Sequence, residues 1–314
     1  MSRYIARRLV AVIPVLIVVI TVIFLMIHLI PGDPAAVMLG PNATADEVAK
    51  LRRAMGLDQP IYLQLLTFFA RTLRGDLGNS YFLDRPVAQA VVERIEPTLL
   101  LTVYSLVVAV MIGVPAGIAA AARPNGLLDR AFMGSALLGV CVPNFWIALI
   151  LIYFVAVQWH WLPAMGYAPL SSGVGKNLRY MILPALTLGF NQSALIARIT
   201  RACMLDILQM DFIRTARAKG LPERAVIQWH AFRNALIPVV TVIGVTFAIL
   251  IGGAIVTEVV FNIPGLGRLL ISGILRRDYP VVQGAVLFIT VTYVVINLLV
   301  DVTYAFIDPR VKYE

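Results

Sequence analysis

The chain is 314 residues long, 60% hydrophobic against 14% charged, and its apolar residues fall in long uninterrupted runs. A soluble core of this size has no need of such runs, so the composition excludes an ordinary soluble domain and points to an all-α integral membrane protein. The formal net charge of +9 does not indicate nucleic acid, because no basic-aromatic cluster is present to track a phosphate backbone.

Leu9 to Ile30 opens the chain with about 22 residues whose only ionisable group is His28. As a helix this covers roughly 33 Å, enough to cross the hydrocarbon core. Arg3, Arg7 and Arg8 precede it, as in a secretory signal, but the run exceeds the ~7–15 residues of a signal's apolar region, so a spanning helix is expected. Further spans are predicted at roughly Thr98–Ala121, Ala131–Val157, Met181–Ile199, Leu236–Thr257 and Val281–Ile307, about six in all. With the N-terminus inside, segments 1–8, 122–130, 198–235 and 308–314 carry 14 of the 26 Lys and Arg. The positive-inside rule then places both termini in the cytosol.

The loop 31–97 begins Pro31-Gly32-Asp33-Pro34, and Thr44-Ala45-Asp46-Glu47 has the spacing of a capping box. A helix is predicted to follow, with Val48, Leu51 and Met55 in step until Gly56. A second runs from Ile61 to Leu73, and a third opens at Asp84 and Pro86 with Val87, Val91 and Ile95 on one face. These read as an external cap, since about 65 residues bury too little to stand as a separate domain. Pro143-Asn144 interrupts the third span, where a kink must leave a carbonyl in need of a partner. Asn191, Gln192 and Ser193 interrupt the fourth. Such groups face protein or water, either bonding helix to helix or meeting a polar solute in transit. Asn144, Asn191, Gln192 and Ser193 are therefore the candidate pathway-lining residues.

Between the fourth and fifth spans lies Asp211-Phe212-Ile213-Arg214-Thr215-Ala216-Arg217-Ala218-Lys219-Gly220-Leu221-Pro222. It reads as a short basic helix: Lys219 occupies the last turn, Gly220 suits the left-handed position after it, and Pro222 prevents its resumption. Arg214 and Arg217 share a face, while Phe212, Ile213 and Ala216 offer an apolar side. A helix this short cannot span, but it can dock into a partner's cleft.

Cys141 and Cys203 are the only cysteines and His28, His160 and His230 the only histidines, each on a separate segment. Neither a disulfide framework nor a metal or catalytic site is supported. Gly173-Val174-Gly175-Lys176-Asn177 lacks the first glycine and the hydroxyl of a phosphate-binding loop, so ATP is not expected to bind here. Glu258 and Asp301 are the intramembrane carboxylates, both toward span ends, a sparse endowment for an ion-coupled secondary transporter or channel, which is the alternative class.

The basic helix resembles the Glu-Ala-Ala-x-x-x-Gly loop of ABC importer permeases, matching at Ala216 and Gly220, with Arg214 where the acidic residue stands. Further blocks extend the resemblance over nearly the whole chain: Arg7-Arg8-Leu9 with Ile13-Pro14, Gly56-Leu57-Asp58-Gln59-Pro60, Gly75-Asp76-Leu77-Gly78, His230-Ala231-Phe232-Arg233-Asn234-Ala235-Leu236-Ile237-Pro238, Pro264-Gly265-Leu266-Gly267, Arg277-Asp278-Tyr279-Pro280, Asp301-Val302-Thr303-Tyr304 and Asp308-Pro309-Arg310. Their order is similar to the B-type permease subunit of the dipeptide and oligopeptide branch, which also takes in nickel and glutathione systems. The resemblance implies a type I importer fold in a prokaryotic inner membrane, with no catalysis in this chain. It also implies a second homologous permease, two ATPase subunits that bind ATP and magnesium, and an external solute-binding protein. The organisation expected is a tip and first span at 1–30, the external loop 31–97, a five-span permease core at 98–308 including a coupling loop at 200–235, and a tail at 309–314. Asp211, Arg214, Thr215, Ala216, Arg217, Ala218, Lys219 and Gly220 would form the ATPase-coupling element.

Overall fold

The computed structural model describes residues 2–29 and 32–307. Pro31, the block at Asp308 and the tail expected at 309–314 lie outside the described residues. The helices in chain order are α1 (Ser2–Leu29), α2 (Pro34–Leu39), α3 (Ala45–Ala54), α4 (Ile61–Leu73), α5 (Val87–Val92), α6 (Ile95–Ala122), α7 (Leu127–Cys141), α8 (Asn144–Leu151), α9 (Val174–Leu208), α10 (Asp211–Ala218), α11 (Glu223–Ala225), α12 (Phe232–Val260), α13 (Leu266–Leu275) and α14 (Tyr279–Ile307). Among the described residues five stretches are long and apolar enough to cross a membrane: Val10–Leu29, Val87–Ala122, Val174–Leu208, Glu223–Val260 and Tyr279–Val300. The predicted span at 131–157 is present in broken form. Helix α7 stops at Cys141, Val142 is extended, and α8 starts behind Pro143 and continues as a π-helical stretch over Ile152–Gln158.

The chain forms two compact units. One comprises Pro97–Ile263 with residues 296–307 of the end of α14. Its core gathers Leu101, Met181, Leu188, Leu250 and Phe261, and a second cluster joins Ala121, Met204, Ile207, Ile213, Val226 and Ala235. Lipid tails are as apolar as leucine, so packing rather than hydrophobic drive holds membrane helices together. Here packing rests on glycine. A Cβ at Gly113 would stand 2.7 Å from the Ser193 carbonyl, one at Gly117 2.6 Å from Thr200 Cβ, and one at Gly189 2.5 Å from the Ser105 carbonyl. Residues later in α6 meet residues later in α9, so the two helices run parallel with their backbones in contact. This explains how α9 carries polar residues: 61% of its most apolar window is buried, against 22–33% in the other four.

Two buried polar side chains of this unit tie its segments together. Asn177 accepts from the Tyr104 hydroxyl at 3.0 Å and donates to the Ala168 carbonyl at 2.6 Å. Glu258 is fully buried and accepts from Thr98 Oγ1 at 2.5 Å. That carboxylate, expected near a span end, holds α6 against the end of α12.

The other unit comprises Ser2–Glu96 and Pro264–Val295. The capping box forms as predicted: Glu47 N–H donates to Thr44 Oγ1, and the Thr44 amide donates to Glu47 at 2.8 Å. A two-stranded hairpin, β1 (Asn79–Ser80) with β2 (Arg85–Pro86), pairs antiparallel with Ser80 opposite Arg85. It is pinned by Asp278, a buried carboxylate that accepts from Ser80 Oγ at 2.5 Å and the Phe82 amide at 3.4 Å. The cap helices pack on α1 and α14 through Ile20, Ile23, Phe68, Phe69 and Leu287, and on α13 and α14 through Val87, Val91, Leu269 and Val281.

Backbone contact between α6 and α9 predicts a contrast. Gly189→Val should lower the apparent melting temperature in mild detergent by an amount matching about 1–3 kcal/mol of overpacking. Gly252→Ala, where nothing lies within 4 Å of the added Cβ, should leave it unchanged or raise it.

Candidate functional site

Helix α9 ends at Leu208, and after Gln209 and Met210 the basic helix α10 begins. Its end is a Schellman turn: Leu221 N–H donates to the Ala216 carbonyl at 3.4 Å and Gly220 N–H to the Arg217 carbonyl at 2.9 Å. Gly220 sits at φ +79°, the left-handed position expected of it. Ile213 and Ala216 are buried in the cluster formed with Met204, Ile207, Val226 and Ala231. Phe212, grouped with them by the sequence pattern, is instead 41% exposed. Adjacent positions on a helix point about 100° apart, and the core takes Ile213 with Ala216, leaving Phe212 at the edge.

The charged residues of α10 divide by partner. Arg217 forms a two-pronged pair with Glu223, Nη2 to Oε1 at 2.7 Å and Nε to Oε2 at 3.1 Å. This pair closes the Gly220-Leu221-Pro222 turn and pushes the Arg217 guanidinium above its ordinary value. Arg214 lies 3.3 Å from Asp211, both side chains largely in the open at 73% and 94% exposure. Thr215 Oγ1 donates to the Asp211 carbonyl at 3.0 Å, and Ala218, Lys219 and Gly220 are exposed. The outward face thus offers Asp211, Phe212, Arg214, Ala218 and Lys219. Trp229, on the π-helical stretch Val226–Ala231 that packs against α10, is 71% exposed. Sequence reading missed Glu223 and Trp229. The only signal for Glu223 was an acid six residues beyond an arginine across a Gly-Leu-Pro turn.

Two contacts tie α9 to α7. Arg201 donates from Nε to Asp129 Oδ1 at 2.6 Å and from Nη2 to Oδ2 at 2.7 Å. Asp129 also accepts from the Asn125 amide at 2.8 Å, and is buried. Its carboxyl is held below the ordinary 3.8, first by the Arg201 hydrogen bonds. The second contact uses Asn191, whose Nδ2 donates to the Gly139 carbonyl at 2.8 Å. Ser193 Oγ donates to the Phe190 carbonyl of its own helix at 2.7 Å. Gln192 makes no side-chain hydrogen bond among the described residues. Asn144, first residue after the break at Pro143, has a buried Oδ1 without a partner. The four candidate pathway-lining residues are therefore split, Asn191 and Ser193 engaged with backbone, Asn144 and Gln192 with free hydrogen-bonding capacity.

The arrangement is that of a polytopic membrane subunit whose long inner helix leads into a short surface helix, and among the described residues no group of His, Cys, Asp or Glu is placed to hold a metal ion. Residues 113–313 match the family described as binding-protein-dependent transport system inner membrane component, and residues 1–102 match the N-terminal family of the same membrane components. The chain belongs to this family: it is a permease subunit of a prokaryotic inner-membrane transport system. It is 46% identical over 313 residues, covering 100% of both chains, to a probable peptide ABC transporter permease protein, y4tP, of Sinorhizobium fredii. It is 44% identical over 314 residues, again covering 100% of both, to the glutathione transport system permease protein GsiC of Escherichia coli. The inward-facing MetNI methionine ABC transporter aligns with a TM-score of 0.57 at 18% identity, over 69% of this chain and 95% of that one, which establishes the type I importer fold.

The Asp129 pair predicts a pH effect with a definite sign. A carboxyl depressed on folding contributes stability that is complete above its unfolded value and is lost as pH falls through its folded one. Asp129→Asn should therefore melt below wild type at neutral pH, and the gap should close only below pH 3.8, as read by melting curves in detergent across that range.

Proposed function

We propose that this chain forms half of the translocation pathway of an ATP-driven peptide importer and receives the closure of its ATPases through α10. A second homologous permease supplies the other half. Two ATPase subunits, holding ATP and magnesium, and an external solute-binding protein complete the complex. Both termini and α10 face the cytosol, as the distribution of Lys and Arg requires, while the loop 31–97 faces outward. The peptide class comes from full-length relatives described as peptide and glutathione permeases.

One observation carries the coupling role. Helix α10 is fixed to its own chain on one side by Ile213, Ala216 and the Arg217–Glu223 pair, and its other side is open, basic and partly apolar. A short rigid helix at the end of a 35-residue one acts as a lever. Arg214 and Lys219 would orient it against an acidic rim, and Phe212 would enter the cleft. Arg217, committed to Glu223, shapes the helix instead. Asn144 and Gln192, with hydrogen-bonding capacity to spare, are the pathway-lining residues this reading favours, and Asn191 and Ser193 serve the wall's architecture.

Replacing Gly220 tests the lever. The added side chain meets nothing within 4 Å at its Cβ but stands where a partner must approach. Gly220→Trp should leave the complex assembled and hydrolysing ATP while peptide uptake into proteoliposomes is lost. Gly220→Asn, which tolerates the left-handed conformation, should retain most uptake. Normal uptake by the tryptophan variant in an assembled complex would overturn the coupling role.

A further inference from the structure

An apolar groove of about 510 Å³ lies within the Ser2–Glu96 and Pro264–Val295 unit, away from every residue assigned above. Met26 and Ile27 of α1, Leu270 and Ile274 of α13, and Val282 and Val286 of α14 line it. Its volume is in the ordinary range for a ligand pocket. Its depth follows from the chain: Met26 and Ile27 occupy the last turns of the span Val10–Leu29, and Val282 and Val286 the first turns of the span Tyr279–Val300. Two spans end at this level, so the groove sits where hydrocarbon meets headgroups. Leu29 and Leu275, both 79% exposed, add open apolar surface at the ends of α1 and α13.

Charge enters at one point of the lining. Arg277 faces the groove, and Arg276 is its neighbour, capping α13. The nearest carboxylate in sequence, Asp278, is turned inward and spent on Ser80 Oγ and the Phe82 amide. Gln283 Nε2 is likewise spent, on the Ile23 carbonyl at 3.1 Å. What remains is a concave apolar slot with one guanidinium in its lining, that of Arg277, and a second cationic residue, Arg276, just before it in the chain. We propose that it is an anionic-phospholipid site, with one acyl chain in the groove and the phosphate on Arg277 and Arg276. Guanidinium groups match phosphate geometry and attract anionic headgroups. A free phosphate would have no use for the apolar slot. A partner helix would call for a broader face than a pocket of this size offers.

The test is native mass spectrometry of the full-length protein in mild detergent, given equal phosphatidylglycerol and phosphatidylcholine of matched chains. Wild type should retain phosphatidylglycerol over phosphatidylcholine by roughly tenfold. Arg276→Gln combined with Arg277→Gln should bring that ratio close to one, while Arg277→Lys should keep most of it. Val286→Trp, which fills the slot, should lose both lipids. Melting curves establish that each variant is folded, and Arg277→Lys carries the test if the double variant is not. Equal retention of the two lipids by wild type would overturn the proposal. So would an unchanged ratio in the double variant, displacement of the lipid by inorganic phosphate alone, or exclusion of lipid by a second protein chain seated on the groove.

Discussion

Backbone contact between α6 and α9 is the constraint on which the rest of the larger unit depends. Gly113, Gly117 and Gly189 leave no room for a methyl group, so the helices meet at carbonyl distance over about three turns. In a bilayer, where burial against a neighbour gains little over burial in lipid, such contact and interhelical hydrogen bonds supply the association. Once α9 is fixed on α6, its other side is free to take α7, and it does so with polar contacts: Asp129 with Arg201, and Asn191 with the Gly139 carbonyl. A helix held on two sides can move only with its neighbours. That is the mechanical property required of an element that leads into α10.

The same logic explains why α10 can be short. Eight residues are too few to be stable as an isolated helix. Here the core supplies what propensity cannot, through two buried side chains, a Schellman end and an ion pair across the following turn. The pair with Glu223 is exposed, and an exposed pair contributes little to stability. Its effect is geometric: it fixes the exit of the turn and removes one of three cations from the outward face. The outward face of α10, proposed above as the docking face, is accordingly less basic than the segment's composition suggests, and more apolar, since Phe212 joins it.

Much of the fold was legible in the sequence because its signals are local. Long apolar runs gave the spans, Thr44 and Glu47 gave the start of α3, Ile61 and Leu73 are the observed limits of α4, and Pro143 marked the break. What was not legible depends on partners far apart in the chain. Asp129 and Arg201 are separated by 72 residues, and Ser80 and Asp278 by 198. No periodicity encodes such pairs. The face taken by Phe212 was hidden for a different reason: helical spacing groups residues by direction, but an apolar group flanked by a buried and an open side can fall either way. The glycines of α6 and α9 were visible as residues, and only the packing shows that three of them meet the neighbouring backbone.

The polar inventory of the core bears on selectivity. Asn177, Asn191 and Glu258 are consumed in holding helices and loops to one another, and Ser193 bonds back to its own helix. Asn144 Oδ1 is buried and unpartnered, which costs about 1–3 kcal/mol unless something occupies it. In the proposed reading, a wall that offers the amides of Asn144 and Gln192 would discriminate weakly among solutes, because strong discrimination requires hydrogen bonds that the wrong solute leaves unmade. For an importer of peptides this is an advantage, since side chains vary and only the backbone is common to all. In the proposed complex, recognition must precede entry and belongs to the solute-binding protein. On that proposal the spare amides of Asn144 and Gln192 would serve any passing backbone amide or carbonyl equally well.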